Sequence, residues 1–234
     1  MQRSLSEAKM SNINNRRTFL KGIGFGSVLL GTMQYSLSAK EEQENVGKKP
    51  HYGMIFDQTK CVGCSDCEIA CTKVNLVPKG QHRLYVDDQT DPLHVKDRRF
   101  VRISCQQCED SPCTEVCPTS ACYRDSITNI VTMNTDDCIG CKYCIVACPY
   151  DVRFINNETH AAENCNFCLG TNLKDGKDPA CVEACKYDAL VFGDFNDDKA
   201  YMNKLLNVKD SVRMKPGFGT KPSIRYIPSL KTGV

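Results

Sequence analysis

Hydrophobic and polar positions alternate along this chain only in short bursts. Residues Tyr123 to Asn134 (YRDSITNIVTMN) alternate around a polar turn at Asp125–Asn129 and close on the apolar run Ile130–Met133, which predicts a β-hairpin. Arg99-Phe100-Val101-Arg102-Ile103 and Leu190-Val191-Phe192 read as short strands, and Lys199–Leu206 as a short helix. Pro78-Lys79-Gly80 and Asp91-Pro92 punctuate a long insertion at residues 72–104, and the chain closes on a Pro/Gly-punctuated tail, KPGFGTKPSIRYIP. No run of eighteen apolar residues occurs, so the pattern contains no conventional membrane-spanning helix. Elements this short bury little apolar surface, and something else must supply part of the core.

Composition says what that is. Seventeen of the 234 residues are cysteine, with hydrophobics at 41% and charged residues at 25%, so the chain is a folded one with an unusual thiol content. Sixteen of the cysteines form quartets: 61, 64, 67, 71; 105, 108, 113, 117; 138, 141, 144, 148; and 165, 168, 181, 185. Cys122 stands outside them and reads as a small buried apolar residue. Quartets one and three are near-copies, CVGCSDCEIAC and CIGCKYCIVAC, in the frame C-x2-C-x2-C-x3-C. Quartets two and four share the endings C-T-E-V-C and C-V-E-A-C, and such repetition points to duplication of a two-motif unit.

Three cysteines on a tight loop can reach three iron corners of a cubane, but the same loop cannot wrap to the fourth. A fourth cysteine one helical turn further on faces away and supplies a corner of a neighbouring cluster, as in two-cluster bacterial ferredoxins. Pro118 and Pro149 follow Cys117 and Cys148, completing the C-P ending of that motif, whereas Thr72 and Lys186 follow Cys71 and Cys185. Disulfides and zinc are the alternatives. C-x2-C-x2-C is poor spacing for disulfides and is not the paired-knuckle pattern of zinc; no C-x2-C is followed by the histidine of a haem attachment site. The frame therefore favours four [4Fe-4S] clusters.

The expected architecture is α+β: two bacterial-ferredoxin-like modules, one nested within the other, with short strands and helices around the clusters. Residues 105–148 form the inner module, with the hairpin joining its two quartets. Residues 40–104, including the insertion, and 149–195 form the two parts of the outer module, and 196–234 a C-terminal extension.

Residues 1–39 read as a signal peptide. Asn15-Arg16-Arg17-Thr18-Phe19-Leu20-Lys21 precedes a weakly apolar run, Gly22–Leu37, whose four glycines disfavour a helix. This resembles the twin-arginine export signal, cut near residue 38 or 39 or left in place. Twin-arginine export carries folded proteins, so clusters can be inserted before the chain reaches an oxidising compartment. The segment also distorts the charge. It holds Arg3, Lys9, Arg16, Arg17 and Lys21 against Glu7, so a formal +2 overall becomes −2 beyond it. The near-balance of charge argues against a nucleic-acid-binding stripe.

No catalytic set emerges. His51, His82, His94 and His160 are scattered, and there is no Walker A motif. Tyr143, Tyr150, Phe154 and Phe167 are expected to pack against and shield the clusters, and Lys142, Arg153 and Lys186 to be solvated surface, the alternative being that they tune nearby clusters electrostatically.

The segments YGMIFDQTKCVGC, ISCQQCEDSPCTEVCPTSACYRD, CIGCKYCIVACPYDVRFIN and CNFCLGTNLKDGKDPACVEAC carry a resemblance. From His51 to Pro228 the chain resembles the four-cluster iron–sulfur subunits of membrane respiratory oxidoreductases, those of dimethyl sulfoxide, tetrathionate and polysulfide reductases included. Within them it is most similar to the NrfC-type branch of formate-dependent nitrite reduction. The resemblance implies nested ligation: Cys61, Cys64 and Cys67 with Cys185; Cys165, Cys168 and Cys181 with Cys71; Cys105, Cys108 and Cys113 with Cys148; and Cys138, Cys141 and Cys144 with Cys117. It also implies a periplasmic, membrane-associated, non-catalytic electron carrier of anaerobic respiration. Its implied partners are an NrfD-like integral membrane quinol dehydrogenase subunit and a periplasmic multihaem cytochrome c reductase acting on nitrite or sulfite, with the twin-arginine translocase as its export machinery. A molybdopterin reductase subunit is the alternative, and a zinc-binding structural protein a third reading.

Overall fold

In the computed structural model, residues 49–92 and 98–229 are described; the segment read as an export signal, with Arg16 and Arg17, and His94 lie outside them. The first strand, β1 (Tyr52–Asp57), reads YGMIFD and is buried from Gly53 onward, as a strand covered on both faces and both edges must be. On one edge it pairs antiparallel with β8 (Leu190–Asp194), Tyr52 opposite Asp194 and Phe56 opposite Leu190. On the other it pairs parallel with β9 (Ile224–Ile227), Met54 opposite Ile224 and Asp57 opposite Ile227. The tail is therefore not merely punctuated coil. Between Pro222 and Pro228 it supplies a buried I-R-Y-I strand whose four residues are too few to stand out as a period in the sequence.

Strand periodicity then sorts the core into two layers. Met54, Phe56, Ile224 and Tyr226 point to the cysteine-rich side, where they pack with Leu190, Cys71 and Cys165. Ile55 and Ile227 point the other way, onto Met202, Leu205 and Leu206, from the helix α5 (Tyr201–Leu206). Met54, Ile55 and Phe56 are at most 2% exposed, and each such side chain contributes about 1.5–3 kcal/mol by burial.

The remaining elements serve the cysteines. Helix α1 (Asp66–Val74) is followed by β2 (Leu84–Asp88), which pairs antiparallel with β3 (Phe100–Ser104), Leu84 opposite Ser104. Strand β3 runs straight into Cys105, one residue later than the sequence pattern placed its end. The anticipated hairpin is present as β4 (Cys122–Arg124) and β5 (Val131–Met133), Arg124 opposite Val131. Its turn is held by Asp125, whose Oδ1 accepts from the backbone of Thr128 at 2.7 Å and of Ile127 at 3.1 Å. A second hairpin, β6 (Phe154–Ile155) and β7 (Ala162–Glu163), repeats the device with Asn156, whose Oδ1 accepts from the backbone of Glu158 and Thr159. Two-residue strands leave no alternation to read, so only the turn residues could have signalled it. Among the described residues, no helix is long and apolar enough to cross a membrane.

Candidate metal centres

Each quartet opens with a C-x-x-C loop, and all four loops share one backbone feature. The residue before the second cysteine is left-handed in every case: Gly63 (φ 72°), Gln107 (φ 49°), Gly140 (φ 67°) and Phe167 (φ 53°). Alternating handedness turns successive backbone N–H groups into a concave nest, suited to an electron-rich partner. Glycine does this without strain. Gln107 is held instead by its side chain, donating to the carbonyls of Cys165 (2.7 Å) and Val131 (2.9 Å) and accepting from the N–H of Val131 (2.7 Å). Phe167 is buried and packs edge-on against Phe192, with ring centroids 5.2 Å apart.

Each loop then leads to a helix that carries the third cysteine. Cys67 lies on α1, Cys113 on α2 (Pro112–Glu115), Cys144 on α3 (Tyr143–Val146) and Cys181 on α4 (Ala180–Glu183). Three residues after the fourth cysteine the chain turns left-handed again at Ser120, Asp151 and Asp188. The turn after Cys185 is thus kept although Lys186 replaces the proline. The Cys71 quartet departs, because α1 continues to Val74 and the left-handed turn waits until Leu76.

The cysteines assemble across quartets. One small cavity is lined by Cys61, Cys64, Cys67 and Cys185, with Phe56 and Leu190 behind them. Another is lined by Cys105, Cys108, Cys113 and Cys148, with Tyr150 and Arg153. Cys71, the fourth cysteine of the first quartet, faces Cys165, Cys181 and Cys168 rather than its own loop. Asn75 joins that set, its amide 3.4 Å from Cys168 Sγ and 3.6 Å from Cys71 Sγ. Cys117, Cys138 and Cys144 share one apolar cluster with Cys113 and Cys122. There the N–H of Ala162 donates to Cys138 Sγ and that of Cys122 to Cys117 Sγ, each at 3.3 Å. Cys141, on the same C-x-x-C loop as Cys138, is exposed.

The sets follow one another. Cys67 and Cys181 feel each other's charge, as do Cys105 and Cys165, and Cys113 and Cys144. The set of Cys71, Cys165, Cys168 and Cys181 is wholly buried, while Cys64 at one end and Cys141 at the other are exposed.

Chemically, none of the seventeen cysteines is in a disulfide. Among the described residues no three His, Cys, Asp or Glu side chains converge on a point to hold a single ion; the thiols stand around cavities instead. Burial pushes the Cys67 thiol up to about 11 and the Cys181 thiol up to about 12. Such sulfurs carry negative charge only when a metal displaces their protons. Four soft donors around a small cavity, with nest N–H groups behind them, fit a cubane iron–sulfur cluster.

Other expectations divide. Tyr150 and Phe167 are buried, as shielding requires, but Tyr143 is 60% exposed. Lys142 and Lys186 are exposed, Lys186 pairing with Asp66 at 3.1 Å. Arg153 is not solvated surface: it is buried against Cys113, Cys122, Cys105 and Cys144, at the entry to β6, where its Nη2 also donates to Asn164 Oδ1 just past β7. Cys122 is buried as anticipated, yet it is not simply apolar, since its Sγ accepts from Arg153 Nη2 at 3.0 Å. Of the histidines, His82 and His160 are exposed, and His51 is bonded to Ser223 Oγ at 2.9 Å. The sequence reading missed Arg102, Asn75, Asn164 and Gln107. A charged Arg102 inside the apolar F-V-R-I strand, leading into Cys105, was the signal available.

Mixed short helices and strands around cross-quartet thiol sets define a ferredoxin-like iron–sulfur protein. The family model for a 4Fe-4S dicluster domain matches residues 96–195. Over 217 residues the chain is 44% identical to Protein NrfC of Escherichia coli strain K12, covering 92% of this chain and 95% of that protein. It is also 44% identical to the B subunit of polysulfide reductase from Wolinella succinogenes over 187 residues, covering 78% of this chain and 97% of that subunit. The thiosulfate reductase electron transfer subunit PhsB of Salmonella typhi matches at 44% over 152 residues, covering 63% of this chain and 78% of that one. The chain belongs to the NrfC family of iron–sulfur proteins. Its role is electron transfer as a non-catalytic subunit of a reductase complex.

Proposed function

We propose that this chain binds four [4Fe-4S] clusters and carries electrons between a membrane quinol dehydrogenase and a periplasmic reductase. The observation that carries this reading is the arrangement of the thiols in four successive sets, the second buried and the outermost each reaching the surface through Cys64 or Cys141. In this reading residues 105–148 are an inner module nested within an outer one formed by 40–104 and 149–195, and the ligand sets are Cys61/64/67/185, Cys71/165/168/181, Cys105/108/113/148 and Cys117/138/141/144. When bound, each cluster takes up and returns one electron. The chain's own residues hold the thiols in place, keep water from the inner sets and present the outer ones to partners. Ile139, Tyr143 and Val146 beside Cys141, and Val62, Ile69 and Tyr187 on the Cys64 side, are exposed and suit transient contacts.

The membrane partner is an NrfD-like subunit, the acceptor a multihaem nitrite or sulfite reductase, and the route to the periplasm the twin-arginine translocase. With clusters of roughly −2 each, the chain beyond residue 39 would carry about −10, a charge suited to a basic docking surface. The equal identity to the polysulfide and thiosulfate reductase subunits supports a second reading, in which the catalytic partner is a molybdopterin reductase.

Two experiments test this. Quinol should reduce the clusters in membranes that contain the NrfD-like subunit and leave them oxidised where its gene is deleted; reduction in both would overturn that partner. Replacing Arg16 and Arg17 by lysine should abolish periplasmic accumulation, and continued accumulation would overturn the export route.

A further inference from the structure

Two buried arginines sit between the thiol sets. Arg102 is 0% exposed, and its charge bears on Cys67 of the first set and on Cys165 and Cys181 of the second. Arg153 is 5% exposed and bears on Cys105 and Cys113 of the third set and Cys144 of the fourth. Among the described residues, no carboxylate pairs with either. Their hydrogen-bond partners are neutral groups or sulfur. Arg102 donates from Nη1 to Ser104 Oγ and lies 4.0 Å from Cys165 Sγ through Nη2. Arg153 Nη2 donates to Cys122 Sγ at 3.0 Å and to Asn164 Oδ1 at 3.1 Å. Each also keeps one buried nitrogen with no acceptor in the protein, Nε of Arg102 and Nη1 of Arg153.

A buried cation without a counter-ion is tolerated only where something negative neutralises it, and a buried N–H without an acceptor needs one. The unpaired nitrogens and the missing carboxylates point to the same source of both: the anionic groups held by the flanking cysteines. We propose that Arg102 and Arg153 are paired redox-tuning residues, each placing one fixed positive charge between two adjacent clusters and raising the reduction potential of both. A fixed cation favours the more negative, reduced state of a neighbouring centre. Between the second and third sets the corresponding bridge is neutral: Asn164 donates to the Cys165 carbonyl at 2.9 Å and reaches Cys105 Sγ at 3.7 Å. Tuning is therefore pairwise. Arg102 acts on the first two clusters and Arg153 on the last two.

This inference rests on the four-cluster reading, and its test separates the two. The full chain is purified anaerobically, its iron counted, and its clusters titrated with spectroscopic detection. Arg153→Met with full iron should lower two potentials, each by at least a tenfold change in reduction equilibrium, about 59 mV for one electron, and leave the other two in place. Arg153→Lys, which keeps the charge, should restore most of the shift. Cys122→Asp is similar in volume and sets a carboxylate against Arg153; it should lower the same two potentials without removing the guanidinium. Arg102→Met should move the complementary pair. Unchanged potentials in fully loaded Arg153→Met or Cys122→Asp would overturn the proposal. So would loss of iron in both together with Arg153→Lys, which would make Arg153 an assembly residue. A parent protein lacking four clusters would instead overturn the four-cluster reading itself.

Discussion

Cys61 and Cys185 line the same cavity although they come from the first and the last quartet. The chain closes on itself there, because β8, which follows Cys185, pairs with β1, which precedes Cys61. Substituting Cys185 should therefore cost the cluster of the first loop, not that of its own C-V-E-A-C segment. We expect Cys185→Ser and Cys61→Ala to remove or alter the same spectroscopic signal and to leave the three others. Loss of different signals in the two variants would contradict the cross-quartet pairing.

Two glycines with left-handed backbones should respond differently to alanine. At Gly63 (φ 72°) an added Cβ would run into the Phe100 ring, whereas at Gly80 (φ 81°) it meets nothing within 4 Å. Gly80→Ala should cost only the backbone preference, about 1 kcal/mol. Gly63→Ala adds overpacking and should cost about 3 kcal/mol. Thermal unfolding of the anaerobically purified variants measures the difference, and equal losses would mean that the loop can move away from β3.

Asp57 links the end of β1 to the chain after α5. Its Oδ2 accepts from Lys209 Nζ at 2.7 Å, and its Oδ1 from the N–H and hydroxyl of Thr59 at 3.0 and 2.5 Å. Burial alone would raise its pKa, but the bonds from Lys209 and Thr59 outweigh it and hold the carboxyl below its ordinary range. A depressed folded-state value gives stability that is present above the unfolded value of about 4 and lost as pH falls through the folded one. Asp57→Asn should thus cost about 2 kcal/mol at neutral pH, and the gap to the parent should close below about pH 4. Denaturant unfolding across pH 3 to 7 checks the sign; a gap that widens in acid would contradict it.

The thiol frame was legible in the sequence because cluster ligands are few in type and fixed in spacing, so the quartets and the hairpin of Tyr123–Asn134 stood out. What was not legible depended on burial or on backbone handedness. Gln107 and Phe167 take the conformation of Gly63 and Gly140 without glycine's signature, held by hydrogen bonds and by packing that only the fold supplies. Arg153 looked like surface because its burial depends on the second hairpin, whose two-residue strands carry no period. Strand β9 was hidden in the same way, defined by its pairing with β1 and not by its own four residues.

The central claim is that sixteen cysteines hold four cubane clusters, and the most direct test is iron and acid-labile sulfide analysis with Mössbauer spectroscopy on anaerobically purified protein. The account predicts about sixteen irons and sixteen sulfides per chain, all in [4Fe-4S] environments. About eight irons, stoichiometric zinc, or metal-free protein with oxidised thiols would contradict it.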